Sequence, residues 1–113
     1  MLTFQPAGKE AKSSYEDTLA FLKMENIRGG YTDYWISYVI TLMSRGEITF
    51  TSYQSPERFP PFARYVRQLK RVAYVFRSQS SQESAFASLI KQQGLPFRKK
   101  SFGILTTYLV PPK

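Results

Sequence analysis

The run Val72-Ala73-Tyr74-Val75-Phe76 is the feature that most constrains this chain. Five successive apolar residues, mostly β-branched or aromatic, make a strand with no solvent-facing side, and such a strand needs a covering layer on each face of its sheet. The flanking segments supply those layers. Ser80 and Glu83 have the spacing of a capping box, Phe86, Leu89 and Ile90 form an apolar stripe, and Gly94 is a stop signal, which predicts a helix over 81–93. Ser13 and Glu16 repeat that spacing ahead of Tyr15, Leu19 and Leu22, with Ala20, Phe21 and Met24 broadening the face, so a second helix is expected over 14–26, ending at Gly29-Gly30. Residues 1–12 read as a linker or frayed leader, and 13–113 as one domain.

The remaining punctuation is equally local. Ile27 to Tyr31 is a weak strand, interrupted by two glycines. Asp33 to Ser44 holds Tyr34, Trp35, Ile36, Tyr38, Val39, Ile40, Leu42 and Met43, apolar on almost every face, and Thr32 or Asp33 is placed to cap it. A helix of this kind is expected to be buried. Trp35, Ile40, Tyr74 and Phe86 are accordingly assigned to the core, where truncating Trp35 to alanine would cost about 3–5 kcal/mol. After Gly46, the alternation Ile48-Thr49-Phe50-Thr51 predicts a strand over 47–53. Pro61 suits the first turn of a helix with Phe62, Val66 and Leu69 facing inward. Phe97 to Ser101 reads as a basic edge strand, and Ile104 to Val110 as a strand ended by Pro111-Pro112. Helices between strands predict an α/β fold. It is a single small layered domain with a mostly parallel, Rossmann-like sheet of about four to five strands, helices on both faces and right-handed crossovers.

Composition narrows the chemistry. The chain has no histidine and no cysteine, which removes Cys and His zinc sites, Ser-His and Cys-His nucleophile pairs, disulfides and Cys-ligated clusters. Glycine-rich nucleotide loops, G-x-S-x-G and calcium loops are missing too, and the eight carboxylates are mostly accounted for by capping and solvation. No catalytic residue, cofactor or metal is therefore assigned. The most apolar window, Tyr34 to Met43, is half the length a membrane span requires, and Met1 to Lys12 lacks the apolar core of a signal peptide. The zero cysteine count leaves the redox compartment open.

Two groups of residues are candidates for binding. In an α/β sheet, ligands gather outside the carboxyl ends of the strands. With parallel strands, Asp33, Trp35, Tyr53, Gln54, Arg58, Arg77 and Gln79 converge on one edge, offering aromatic surfaces and bidentate donors to a sugar ring or phosphate. The competing assignments are a helix cap for Asp33 and core packing for Trp35 and Tyr53. The second group comes from charge. There are 16 Lys+Arg against 8 Asp+Glu, and the basic excess falls in residues 56–113. Arg64, Arg67 and Arg71 on one helix face, with Arg98, Lys99 and Lys100 on the edge strand, form a surface for anionic lipid, lipid-linked phosphate or nucleic acid. Plain solubility is the competing explanation.

The tract Tyr-Thr-Asp-Tyr-Trp-Ile-Ser-Tyr at 31–38 is followed by Leu42, the Gly46-Glu47-Ile48 turn, Arg58-Phe59-Pro60-Pro61 and the strand Ala73-Tyr74-Val75-Phe76. Together they resemble the soluble C-terminal region of bacterial polytopic glycosyltransferases related to the dolichyl-phosphate-mannose mannosyltransferases. The likeness spans about residues 14–110, centred on a Gly-Tyr-x-x-Tyr-Trp-x-x-Tyr pattern at Gly30 to Tyr38. In that family many transmembrane helices precede this region, the catalytic acidic residues lie in loops near those helices, and the sugar comes from a polyprenyl-phosphate donor. No catalytic residue carries over to this chain. The resemblance implies a non-catalytic accessory domain on the extracytoplasmic (periplasmic) face of the bacterial membrane. Its partner would be the transmembrane part of the same polypeptide, and it would pack there or help bind an acceptor glycan, an anionic lipid or a lipid-linked sugar phosphate. The alternative is a free-standing basic module for nucleic acid or another polyanion; a small enzyme ranks third.

Overall fold

The computed structural model of the chain describes residues 5–52, 68–69 and 71–110. Among them the element order is α1 (Gln5–Met24), β1 (Gly29–Thr32), α2 (Tyr34–Met43), β2 (Thr49–Ser52), β3 (Ala73–Arg77), α3 (Ser81–Gln92), β4 (Arg98–Phe102) and β5 (Leu105–Leu109). The helix and loop expected over residues 55–67 lie outside the described residues.

The apolar run becomes β3, the middle strand of a five-stranded sheet ordered β2-β1-β3-β5-β4. The sheet is mixed, which corrects the mostly parallel, Rossmann-like expectation. β1 pairs in parallel with both β2 and β3, whereas β5 pairs antiparallel with β3 and with β4. The reason is the connection between β4 and β5. Only Gly103 and Ile104 separate the two strands, and a link that short closes a hairpin but never a parallel crossover. Gly103 turns the chain at φ 58°, and a Cβ there would strike the Ser14 hydroxyl, which accepts the Ile104 amide at 2.9 Å.

Alternation along the strands separates two packed layers. On one face α1 and α2 cover Phe50, Ala73, Val75, Leu105 and Leu109, with Leu22, Ile36 and Ile40 fully buried against them. On the other face α3 covers Phe76 and Tyr108 through Ile90, joined by the half-buried Tyr74 and Phe86. The Phe86 ring lies 4.7 Å from Tyr74, 5.0 Å from Phe76 and 5.2 Å from Tyr108. Tilted and edge-on pairs of this kind add about 0.5–1.5 kcal/mol each beyond the area they bury. The glycines that made β1 look weak are what let it sit here, because a Cβ on Gly30 would fall on the Ala73 carbonyl.

Two expectations about helices need correction. The helix expected over 14–26 begins at Gln5, since the residues before Ser13 include good helix formers such as Ala7, Glu10, Ala11 and Lys12. The second concerns α2, which is not buried all round. Ile36 and Ile40 face the sheet, while Trp35, assigned to the core from sequence, is 65% exposed. At about 100° per residue, Ile36, Ser37 and Ile40 share the buried side of α2 and Trp35 falls on the other.

Candidate functional site

Asp33 directly follows β1 and caps α2, its Oδ1 accepting the Ile36 amide at 2.8 Å. Arg77 closes β3, the neighbouring parallel strand, and its Nε stands 3.8 Å from Asp33 Oδ2. The ladder between the two strands stops at Tyr31 and Tyr74, and the Thr32 hydroxyl continues it by donating to the Val75 carbonyl at 2.6 Å. From this point the chain departs in opposite directions. α2 leads from β1 to β2 over one face, and α3 leads from β3 toward β4 over the other. That divergence is a topological switch point, the place where open α/β sheets leave a crevice for ligands.

The other groups at this edge arrive from three elements. Trp35, in the first turn of α2, holds most of its surface in solvent. Gln79 is exposed at φ 63° in the turn between β3 and α3. Tyr15 comes from α1 and is buried within electrostatic reach of the ion pair. Burial raises its hydroxyl pKa, the Arg77 charge opposes that rise and the Asp33 charge adds to it. Of the residues assigned from sequence to this edge, the structure therefore brings Asp33 and Arg77 together, with Trp35 and Gln79 on the adjoining turns. Tyr53, Gln54 and Arg58 lie outside the described residues. Sequence reasoning missed Tyr15, because its spacing with Leu19 and Leu22 reads only as a helix face turned to the core.

The arrangement offers a carboxylate that accepts hydroxyl protons, a guanidinium that donates to oxygen in a planar fork, and an indole for an apolar ring face. Among the described residues no three His, Cys, Asp or Glu side chains cluster as metal ligands do.

Of the basic surface expected from sequence, Arg71, Arg98 and Lys99 are exposed and have carboxylate partners within the domain. Glu25 accepts from both terminal nitrogens of the Arg98 guanidinium, at 3.0 and 3.2 Å, and lies 3.6 Å from Arg71, which also donates to the Glu25 carbonyl. The hydrogen bonds from Arg98 lead the effects that hold the Glu25 carboxyl below its ordinary range. Lys99 lies 3.5 Å from Glu83. Lys100 remains exposed, and Arg64 and Arg67 lie outside the described residues.

Glu83 belongs to a second polar cluster that its capping-box spacing does not announce. It is only 7% exposed. One carboxylate oxygen accepts the Gln79 amide at 2.6 Å and the other the Tyr108 hydroxyl at 2.8 Å, while Ser80 caps the helix by accepting the Glu83 amide. Burial alone would raise the Glu83 carboxyl, yet the Gln79 amide, the Tyr108 hydroxyl and Lys99 outweigh it and hold the group below its ordinary range. Tyr108 responds in the opposite sense. Burial first, and then the neighbouring carboxylate, push its hydroxyl up to about 12. The Tyr108–Glu83 hydrogen bond pins α3 to β5.

Comparison with known protein families, curated proteins and solved structures finds no match to this chain. Fold and site define a mixed α/β domain with an Asp33–Arg77 ion pair at its topological switch point. No helix among the described residues is long and apolar enough to cross a membrane.

Proposed function

We propose that this chain is a non-catalytic accessory domain of a membrane glycosyltransferase that uses a polyprenyl-phosphate sugar donor, and that it holds the acceptor glycan or lipid-linked phosphate at the switch-point crevice. The observation that carries the proposal is the Asp33–Arg77 pair at 3.8 Å, with the exposed Trp35 two residues beyond Asp33 in the first turn of α2. A polyol ligand engages such a trio by giving hydroxyl protons to the carboxylate, accepting from the guanidinium and laying its C–H face on the indole. A phosphate engages the guanidinium alone. The tract from Gly30 to Tyr38, which carries the resemblance to the glycosyltransferase region, also supplies Asp33 and Trp35. Function here is read from the site, since fold alone does not supply it. The extracytoplasmic placement belongs to the same proposal and rests on the same tract. A polyanion-binding module is less well supported, because Arg71, Arg98 and Lys99 already have carboxylate partners within the domain.

Trp35 is the only tryptophan, so its fluorescence reports on the crevice directly. Titration with a neutral oligosaccharide and, separately, with a sugar phosphate should give a saturable emission change with at least one of them. Arg77→Ala should abolish it while leaving the circular dichroism spectrum intact. No saturable change with either ligand, or a change that survives Arg77→Ala, refutes the proposal.

A further inference from the structure

The ten residues of α2, Tyr34 to Met43, contain no charged side chain. The sheet uses only one side of this helix. Ile36 and Ile40 are completely buried, while Trp35, Tyr38 and Leu42 are 65, 54 and 59% exposed, with Met43 beside them at 39%. Positions 35, 38 and 42 follow one another at i, i+3 and i+7, so the three side chains form a single stripe along the outer face. Large apolar side chains exposed singly need no explanation, but a contiguous stripe of them marks a surface for a partner.

Charge identifies the partner. The formal net charge of +8 makes two copies repel, which works against burying this face on a second molecule of the same chain. The stripe also ends among cations. Arg45 is exposed immediately beyond α2, and the adjoining cleft between the end of α1 and the start of β2 is lined by Lys23, Arg28 and Glu47; Lys23 pairs with Glu47 at 3.8 Å, so Arg28 and Arg45 carry the positive excess. An apolar stripe of tryptophan, tyrosine and leucine with basic residues at its margin matches the requirements of an anionic bilayer surface. The aromatic rings suit the headgroup layer, the aliphatic chain reaches the acyl boundary, and the cations meet lipid phosphate. At about 15 Å the helix is too short to span, so it lies in the plane of the interface.

We propose that the outer face of α2, through Trp35, Tyr38 and Leu42, docks this domain flat on an anionic lipid bilayer, with Arg45 and Arg28 facing the phosphates. This stands without the sugar-binding proposal, although Trp35 sits where the stripe meets the crevice, so docking would bring the crevice to the level of the headgroups.

The test uses the full chain with vesicles of phosphatidylcholine containing phosphatidylglycerol, read by co-sedimentation and by the blue shift of Trp35 emission. The chain should bind these vesicles more tightly than pure phosphatidylcholine. The double variant Tyr38→Ser/Leu42→Ser, altered only at exposed positions, should lower the partition coefficient about tenfold or more. Ser88→Ala, at an exposed position of α3 over the opposite face of the sheet, should leave it unchanged. The proposal is overturned if the chain fails to bind anionic vesicles, or if the double variant binds as well as the parent. It is likewise overturned if the double variant abolishes a self-association seen without lipid, which would give the face to a second copy.

Discussion

Replacing Tyr108 with phenylalanine tests the buried cluster that ties α3 to the sheet. The phenol ring stays in its aromatic nest, 5.2 Å from Phe86 and 5.6 Å from Phe97, so the substitution removes little more than one hydroxyl. That hydroxyl donates at 2.8 Å to a carboxylate almost closed to water. A hydrogen bond to a charged group contributes about 1.5–3 kcal/mol, and Glu83 has little solvent with which to replace it. Against a total stability of roughly 5–15 kcal/mol the loss is large. At roughly 4 °C per kcal/mol, it corresponds to a fall in Tm of about 6–12 °C. The effect should also depend on pH in a defined direction. The Glu83 carboxyl is held below its ordinary value of 4.5, so its contribution is present above the unfolded-state value and disappears as pH falls through the folded one. In Tyr108→Phe one of the groups lowering that value is gone. The difference between the two proteins should therefore be full at neutral pH and shrink as acidification protonates the Glu83 carboxyl. Thermal unfolding followed by circular dichroism at neutral and acid pH measures both effects. Equal melting temperatures at neutral pH, or a gap that widens on acidification, would show that the Glu83–Tyr108 contact does not stabilise the fold.

Two further substitutions probe helix α2 and strand β1. Ile40→Ala should cost about 2–5 kcal/mol in denaturant unfolding, while Leu42→Ala, two residues away on the exposed side, should stay within about 0.5 kcal/mol. Similar losses at both positions would mean that the outer face of α2 is packed. Gly30→Ala places a methyl group on the Ala73 carbonyl, 2.8 Å from the adjoining carbonyl carbon, where backbone must yield. A loss of about 3 kcal/mol or more is expected, and wild-type stability in a urea melt would contradict the close approach of β1 and β3.

Much of the architecture is decided within a few residues of chain, and to that extent it is legible in the sequence. The Ser80 cap with Glu83 three residues on starts α3 where expected, Asp33 caps α2, and positive-φ glycines at 46, 94 and 103 mark the turns. The central place of β3 also follows locally, because a strand apolar on both sides is stable only in the middle of a covered sheet. Asp33 and Arg77 were legible as neighbours for a related reason. Residues at the carboxyl ends of adjacent parallel strands converge whatever the loops do.

What the sequence left open depends on contacts between distant parts of the chain. A helix apolar on all sides carries no periodicity to say which side the sheet will take, so the exposure of Trp35, Tyr38 and Leu42 was settled only by docking Ile36 and Ile40. Basic residues read in order look like a free cationic surface. Folding brings Arg98 to Glu25 across 73 positions of sequence and Lys99 to Glu83, and these pairs neutralise part of that surface. Tyr15 joins the crevice, and Tyr108 meets Glu83, for the same reason. Capping, turn and strand signals act over a few residues, whereas the partner of a buried hydroxyl or a paired charge is chosen by the path of the whole chain.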